Sequence, residues 1–387
     1  MPEKGAPRAL GAPTRLLCGG RQNATYVELL AKNLNAARSV NMKAVIFDKN
    51  GGTEVLQYKD TPQPKAGYHE VVIQIKASAC NYNDIWARRG LPGMEIILPH
   101  ISGSDVSGVV AEIGPGVQSV KVGDEVIVHC GLSCRECDQC TAGNEFFCKD
   151  FKIWGFQTGP LDGGHAEYCK VPAVNVLPKP ARLSHEEAAS MPLVLVTVWR
   201  MLVTRARIRA GDFVLIWGAA GGLGIMAIQV AKLFNARPIA VASGDDKLKM
   251  CSELGAEFVI NRTKQDVFKE IRKFTGGKRC DIAFEHTGAD TWPISMQCLK
   301  WGGTIVVCGA TSGFDAHMDI RLLWNKQQNY LGSHLGSKAE LVDAMRFVES
   351  GQIKPFVGKV LPLKELGKAQ DIMERNEVMG KIAINPT

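Results

Sequence analysis

The chain has 387 residues, 45% hydrophobic and 22% charged, a globular make-up that excludes a mainly disordered protein, a coiled coil or a collagen-like fibre. At roughly 150 residues per domain it holds two to three domains, each large enough to bury a core. Lys and Arg number 46 against 39 Asp and Glu, a net charge of +7 without a lysine stripe interleaved with aromatics. Nucleic acid is therefore not an expected partner, whereas an anionic small substrate or cofactor is compatible with the charge.

Residues 1–41 differ from the rest. They carry six basic residues (Lys4, Arg8, Arg15, Arg21, Lys32, Arg38) against Glu3 and Glu28, and residues 26–38 have the spacing of a short amphipathic helix. A mitochondrial transit segment and an unstructured extension both fit this composition, and the folded body is expected to start at Met42. No apolar leader is visible, and five cysteines crowd between positions 130 and 148 rather than being spread as a disulfide framework. That usage points to a reducing compartment, and the expected location is cytoplasmic unless residues 1–41 are a targeting signal. The uncharged run Phe213 to Ala231 has membrane length, but Gly218, Gly221, Gly222 and Gly224 interrupt it, so no membrane association is expected.

From Met42 to about Leu177, short β-branched runs (43–47, 70–78, 106–114, 124–130) are punctuated by Gly, Pro and Asp, which predicts a β domain. From about Ser184 the rhythm changes. Helical patterns at 185–206, 222–235, 245–254 and 265–275 alternate with apolar strands at 213–217, 237–242, 257–261, 281–286 and 304–309. That alternation predicts βαβ units and a doubly wound parallel sheet. A helix over 338–350 and two strand-like pieces, GKVLPL and GKIAIN, close the chain.

Cys134, Cys137, Cys140 and Cys148 form C-x2-C-x2-C-x7-C. Four thiolates on one short excursion can close a tetrahedron around a single Zn(II), leaving no open position, so the expected role is structural. An iron–sulfur cluster uses the same residue type, and the spacing alone does not distinguish the two. Cys130 breaks the spacing and is left out of the set.

FVLIW-GAAGGLG-IMAIQVAKLF reads as strand, glycine turn and helix, the context in which glycines let a pyrophosphate reach the positive end of a helix. Gly218, Gly221, Gly222, Leu223 and Gly224 are the expected cofactor-binding residues. An acid at the end of the next strand would bind a ribose 2′-OH and repel a 2′-phosphate. Here Ser243 and Gly244 hold that place, with Lys247 nearby and Arg262 after the third strand, so NADP(H) is expected; Asp245 or Asp246 in that place would reverse the preference.

A β domain with a four-cysteine lobe, a dinucleotide domain and a return segment, with GPGVQSVKVGDEV, GGHAEYCKVP and WGAAGGLG, resembles the medium-chain dehydrogenase/reductase superfamily from Met42 onward. The resemblance implies a GroES-like β domain at 42–183 and 330–387, a Rossmann domain at 184–329, substrate in the cleft between them, and a homodimer or homotetramer. Zinc alcohol dehydrogenases of that superfamily hold a catalytic zinc with a Cys, a His in Gly-His-Glu and usually a further Cys. The matching positions here are Asn81, the segment Gly103-Ser104-Asp105, and MPLVLVTVW without a Cys; Cys80 is one residue off with no obvious partner ligands. No catalytic zinc is expected.

NYNDIW, ISGSDVSGVV, KIWGFQT, LIWGAAGGLG and LGSHLG are similar to crotonyl-CoA carboxylase/reductases and related enoyl-CoA reductases. Carried over residue by residue, that resemblance implies a reacting centre of Asn81, Phe156 with Gln157, and His334, and an acyl-CoA thioester as substrate. Gln157 stands where the family has Glu, which puts carboxylation in doubt and leaves reduction open. Asn81 is expected to donate to the enolate and His334 to deliver or relay a proton. His165, His286 and Tyr82 read as structural. Arg88, Arg89, Arg205, Arg207 and Arg209 are candidate phosphate ligands. The competing readings are a quinone or enal reductase without a CoA site, a zinc-dependent alcohol dehydrogenase, and a non-catalytic NADPH-binding protein.

Overall fold

The computed structural model of the protein describes residues 40–386; the expected character of residues 1–39 lies outside them. The β region builds a seven-stranded sheet. Its order is Val357–Pro362, Lys381–Asn385, Glu70–Ala79, Asp105–Ile113, Glu125–Val128 and Val176–Pro178, with Tyr168–Pro172 pairing onto Glu70–Ala79. A hairpin, Asn41–Ile46 with Gln57–Pro62, precedes it. Two helices interrupt the strands, the four-residue Asp138–Thr141 and the longer Tyr82–Arg89, whose first turn is fixed by the Asp84 carboxylate accepting the Asn81 N–H at 2.7 Å.

The alternating region forms a six-stranded parallel sheet ordered Phe258–Asn261, Arg237–Ala242, Phe213–Ile216, Cys280–Glu285, Leu299–Val307 and Asn329–Gly332. The order reverses direction between Phe213–Ile216 and Cys280–Glu285, the switch point where open α/β sheets leave a crevice. The helix expected over 185–206 is three pieces: His185–Ala189, Pro192–Trp199 and a wide turn, Arg200–Arg205. Pro192 cannot donate a backbone hydrogen bond inside a helix, so it ends one piece and starts the next. The uncharged run resolves into a four-residue strand and the helix Gly222–Leu233. Among the described residues no helix is long and apolar enough to cross a membrane.

The return of the chain comes later than expected. The boundary at 330 would cut the strand Asn329–Gly332, which pairs with Leu299–Val307, and helix Lys338–Glu349 packs on Pro192–Trp199. The chain rejoins the first sheet only at Val357–Pro362. One continuous apolar core then runs from the first sheet (Val71, Ile127) through Val194 and Leu195 to Val214 and Ile216 of the second. The two sheets are thus halves of one packed body.

The return helix Leu366–Glu374 corrects one site assignment. Arg88, 1% exposed, donates to Gln370 Oε1 at 2.6 Å, the Gly51 carbonyl at 2.8 Å and Glu374 at 2.6 Å, and Arg89 pairs with Glu374 at 2.9 Å. Buried Arg88 is spent on holding this helix and is no phosphate ligand, and Arg89, half exposed, is paired with Glu374. Arg88→Met removes one partner of a buried pair, and urea denaturation is expected to show a loss of about 3 kcal/mol. A loss within experimental error of zero would mean the network adds nothing to stability.

Candidate functional site

The cleft at the switch point has a volume of about 340 Å³ and is walled by both sheets. Gly218 adopts φ +53°, and a Cβ there would lie 2.8 Å from the His286 ring. Gly218, Gly221, Gly222 and Leu223 line the cleft at the N-terminus of Gly222–Leu233, where backbone N–H groups and the helix dipole favour an anion. Gly224 does something else. A Cβ there would sit 2.4 Å from Ala219 Cα, so it permits the helix to approach the strand and does not line the cleft.

Ser243, Lys247 and Arg262 line the same cleft. Asp245 is turned away, with Asn261 Nδ2 at 2.9 Å and Lys264 Nζ at 2.8 Å on its two oxygens. No carboxylate is among the described lining residues. This cation-rich, acid-free donor set fits a ribose 2′-phosphate.

The four-cysteine lobe is compact. Cys134, Cys137, Cys140 and Cys148 place their sulfurs within 4.8 Å of one another, with Cys134 at 3.9 Å from Cys140 and 3.5 Å from Cys148. A tetrahedron with Zn–S bonds of about 2.3 Å has edges of about 3.8 Å, so the residues fit one zinc ion. Sulfurs this close surround a single ion and leave no room for a multi-iron cluster. The N–H groups of Glu136 and Cys137 pull the Cys134 thiol down to about 7, toward the thiolate a metal needs.

The cleft floor holds a group that local sequence reasoning missed. Strand Lys381–Asn385 runs antiparallel to Glu70–Ala79 with Ala383 opposite Ala79 and Ile384 opposite Ser78. Continued two residues, that register sets Lys381 across from Asn81. Lys381 Nζ donates to Asn81 Oδ1 and lies 3.3 Å from Asp105 Oδ2, while Asn81 Nδ2 donates to the same oxygen at 2.8 Å. Asp105 Oδ1 accepts the Leu193 N–H at 2.9 Å. Burial pushes the Asp105 carboxyl up, and Lys381, Asn81 and the Leu193 N–H oppose that push. The Asn81 amide is thus directed at Asp105, and the cationic group on the floor is Lys381, with two of its three protons used.

Cys80 does have neighbours. Cys80, Asp84 and His165 place ligand-type atoms within 4.8 Å of one another. All are buried and already wired: Asp84 accepts the N–H groups of Asn81 and Gly103, and His165 meets Ser78 Oγ at 3.0 Å and Asp84 at 3.4 Å. Burial raises the Cys80 thiol pKa, so it stays protonated. Asp84 and His165 form a hydrogen-bonded pair beneath the Asn81 loop, with the Cys80 thiol beside it.

Of the remaining candidates, Phe156 and His334 line the cleft with Asn81 and Tyr82. Gln157 does not; its side-chain carbonyl folds back to accept the Ile153 N–H at 2.9 Å. His334 stands at the mouth with Phe151 edge-on at 5.5 Å, and the surrounding protein and Arg200 push its pKa below 6.5. It is neutral at neutral pH and able to accept or relay a proton. His286 also lines the cleft, held by the Trp217 carbonyl at 3.0 Å. The His334 turn is held from the first sheet by buried His129, whose Nε2–H donates to the Gly336 carbonyl at 3.0 Å.

Residues 67–181 match the family described as alcohol dehydrogenase GroES-like domain, and residues 222–350 the family described as zinc-binding dehydrogenase. A crotonyl-CoA reductase of Streptomyces avermitilis is 39% identical over 361 residues, covering 84% of this chain and 80% of the relative. Among solved structures, an NAD-dependent alcohol dehydrogenase is 41% identical with a TM-score of 0.86, covering 89% of this chain and all of its own. A 2-octenoyl-CoA carboxylase reductase, in complex with NADP and 2-octenoyl-CoA, is 34% identical with a TM-score of 0.82, covering 92% of this chain and 90% of its own.

Two outcomes follow from the geometry. Arg262→Ala is expected to weaken NADPH binding by about tenfold or more while leaving NADH binding little changed, because only the former loses a charge-assisted phosphate contact; equal loss for both, in a fluorescence titration, contradicts the phosphate role. Burial pushes His129 from 6.5 down to about 4, so the folded protein keeps it neutral while the unfolded chain takes up a proton below pH 6.5. Its contribution is intact above pH 6.5 and falls as pH drops toward 4, by about 2 kcal/mol at pH 5. Chemical denaturation at pH 7 and 5 checks this, with His129→Gln expected to flatten the pH slope.

Proposed function

From the premise that the chain belongs to the medium-chain dehydrogenase/reductase superfamily, we propose that it is an NADPH-dependent reductase of activated C=C bonds acting on a short-chain enoyl-CoA thioester. The observation that carries the reading is the cleft floor. Where the resemblance sets metal ligands of the zinc alcohol dehydrogenases, this chain has Asn81 and the segment Gly103-Ser104-Asp105, and Lys381 meets Asn81 and Asp105 there.

When bound, NADPH supplies hydride from C4 of its nicotinamide to the β-carbon of the substrate. The glycine turn receives its pyrophosphate, and Ser243, Lys247 and Arg262 receive the 2′-phosphate. Lys381 places a positive charge and one free N–H where the thioester oxygen gains negative charge, and Asn81 and Asp105 hold that ammonium in position. Phe156 and Tyr82 keep the acyl end in an apolar setting. His334, at the mouth, relays the proton that the α-carbon takes up. Gln157, turned to backbone, offers the cleft nothing that would orient carbon dioxide, so simple reduction is the proposed outcome. One zinc ion held by Cys134, Cys137, Cys140 and Cys148 serves structure. Exposed Trp301, Ile320 and Trp324, close in sequence to the edge strand Asn329–Gly332, support a homodimer or homotetramer.

The solved alcohol dehydrogenase similar to this chain, together with the Cys80–Asp84–His165 cluster, favours one rival, a zinc alcohol dehydrogenase. The experiment is NADPH oxidation with crotonyl-CoA and acryloyl-CoA, with and without bicarbonate, alongside metal analysis. Rapid bicarbonate-independent turnover with one zinc per chain is expected. Turnover of a quinone or enal but neither thioester overturns the CoA assignment, two zinc ions per chain with alcohol oxidation overturns the reductase reading, and a dicarboxylic product overturns the role given to Gln157.

A further inference from the structure

A second hollow, about 490 Å³, opens beside the cleft. Trp86, Gly309 and His334 wall both spaces, so the two are continuous past the His334 ring. Its outer wall comes from the four-cysteine lobe: Phe146 and Phe147 lie between Cys140 and Cys148, and Phe147 is 65% exposed. Phe314 faces in from the second sheet's loops.

Two arginines from the wide turn Arg200–Arg205 complete the lining. They are not equivalent. Arg200 lies 3.3 Å over the Phe146 ring and is neutralised by both Glu340 oxygens at 3.1 and 3.2 Å. It anchors the lobe to helix Lys338–Glu349. Arg205 spends only its Nε, on the Gly332 carbonyl at 3.0 Å. Among the described residues its two terminal nitrogens have no partner. The hollow is thus apolar and aromatic along its length with one uncompensated guanidinium.

We infer that this hollow seats the pantetheine arm of the thioester, with Arg205 on its phosphates and the Phe146–Phe147 tip of the cysteine lobe against its amides. The inference rests on the thioester reading above and names the subsite that reading needs. A volume of this size suits an extended amide chain. Aromatic faces pack against amide planes, and an unpaired guanidinium binds phosphate in fork geometry. The acyl end would react in the cleft while the arm leaves past His334. The lobe that the four cysteines fold therefore selects the carrier as well as stabilising the chain.

The test uses the full-length protein. Free CoA is titrated by calorimetry into wild type, Arg205→Glu and Phe147→Ala. Turnover of crotonyl-CoA is then compared with that of crotonyl-N-acetylcysteamine, which lacks the phosphates. Arg205→Glu is expected to weaken CoA binding by about tenfold or more, and to lower kcat/KM for the CoA thioester relative to the short thioester by a similar factor. Phe147→Ala, on an exposed side chain whose loss leaves the core intact, is expected to give a smaller change of the same sign. Unchanged CoA affinity in both variants, or an equal loss on both thioesters, overturns the inference. If wild type binds CoA with this dependence on Arg205 yet reduces neither thioester, the reductase reading fails and the subsite stands.

Discussion

The structure turns on a buried charge pair. Lys381 is 6% exposed and Asp105 is fully buried, and moving both out of water is costly unless each finds its full set of partners. Most of that set is in place: Asn81 bridges the two side chains and the Leu193 N–H completes Asp105, leaving one Lys381 N–H free. These four residues come from the first helix turn, a strand of the first sheet, the helix joining the sheets and the final strand. The preceding residue, Gly380, donates its N–H to the Ala220 carbonyl at 2.8 Å and bridges Gly221. One short segment therefore fixes the glycine turn of one sheet against the floor of the other. Disturbing any member leaves an unpaired charge in the core, so the cleft has little freedom to change its shape.

That constraint explains how a site can lie between two sheets and still be preorganised. The two sheets share one apolar core rather than meeting through an open linker. The cofactor end is set by the switch point and the helix dipole. The reacting end is set by the Asn81 loop, pinned from below by Asp84 and His165. The mouth is set by the His334 turn, held through Gly336 by His129. Each end rests on a hydrogen bond between segments distant in the chain.

What the sequence made legible follows from that distance. The glycine turn and the cysteine set are local: their partners lie within a few residues, and their chemistry is read from spacing. Most strands of both sheets are legible from β-branched runs for the same reason; the short strands Tyr168–Pro172, Val176–Pro178 and Asn329–Gly332 are not. Lys381 was not, because it meets Asn81 across 300 positions and only the strand register brings them together. Arg88 reads as a candidate phosphate ligand because its partners Gln370 and Glu374 lie in the distant return helix. The boundary placed at 330 failed because a four-residue edge strand such as Asn329–Gly332 carries no mark of which sheet it joins. Gln157 and Phe156 are adjacent in sequence, but the Ile153 N–H turns one side chain away while the other reaches the cleft.

The floor also argues for the kind of charge the cleft is built to meet. Reducing a carbonyl to an alcohol concentrates charge on one oxygen, and a metal ion is the strongest single answer to it. Adding hydride to the β-carbon of an unsaturated thioester spreads charge over oxygen and the α-carbon, and it needs a proton at a second point. A fixed ammonium with a free N–H meets the first demand at modest strength. On the proposed reading a neutral histidine lining the same cleft, His334, meets the second. Lys381 and His334 both line the space walled by Phe156 and Tyr82, so on the proposed reading one side chain meets the developing charge and another supplies the proton. A cation alone, or a histidine alone, would suit many reactions; the two in one cleft support the proposed conjugate reduction.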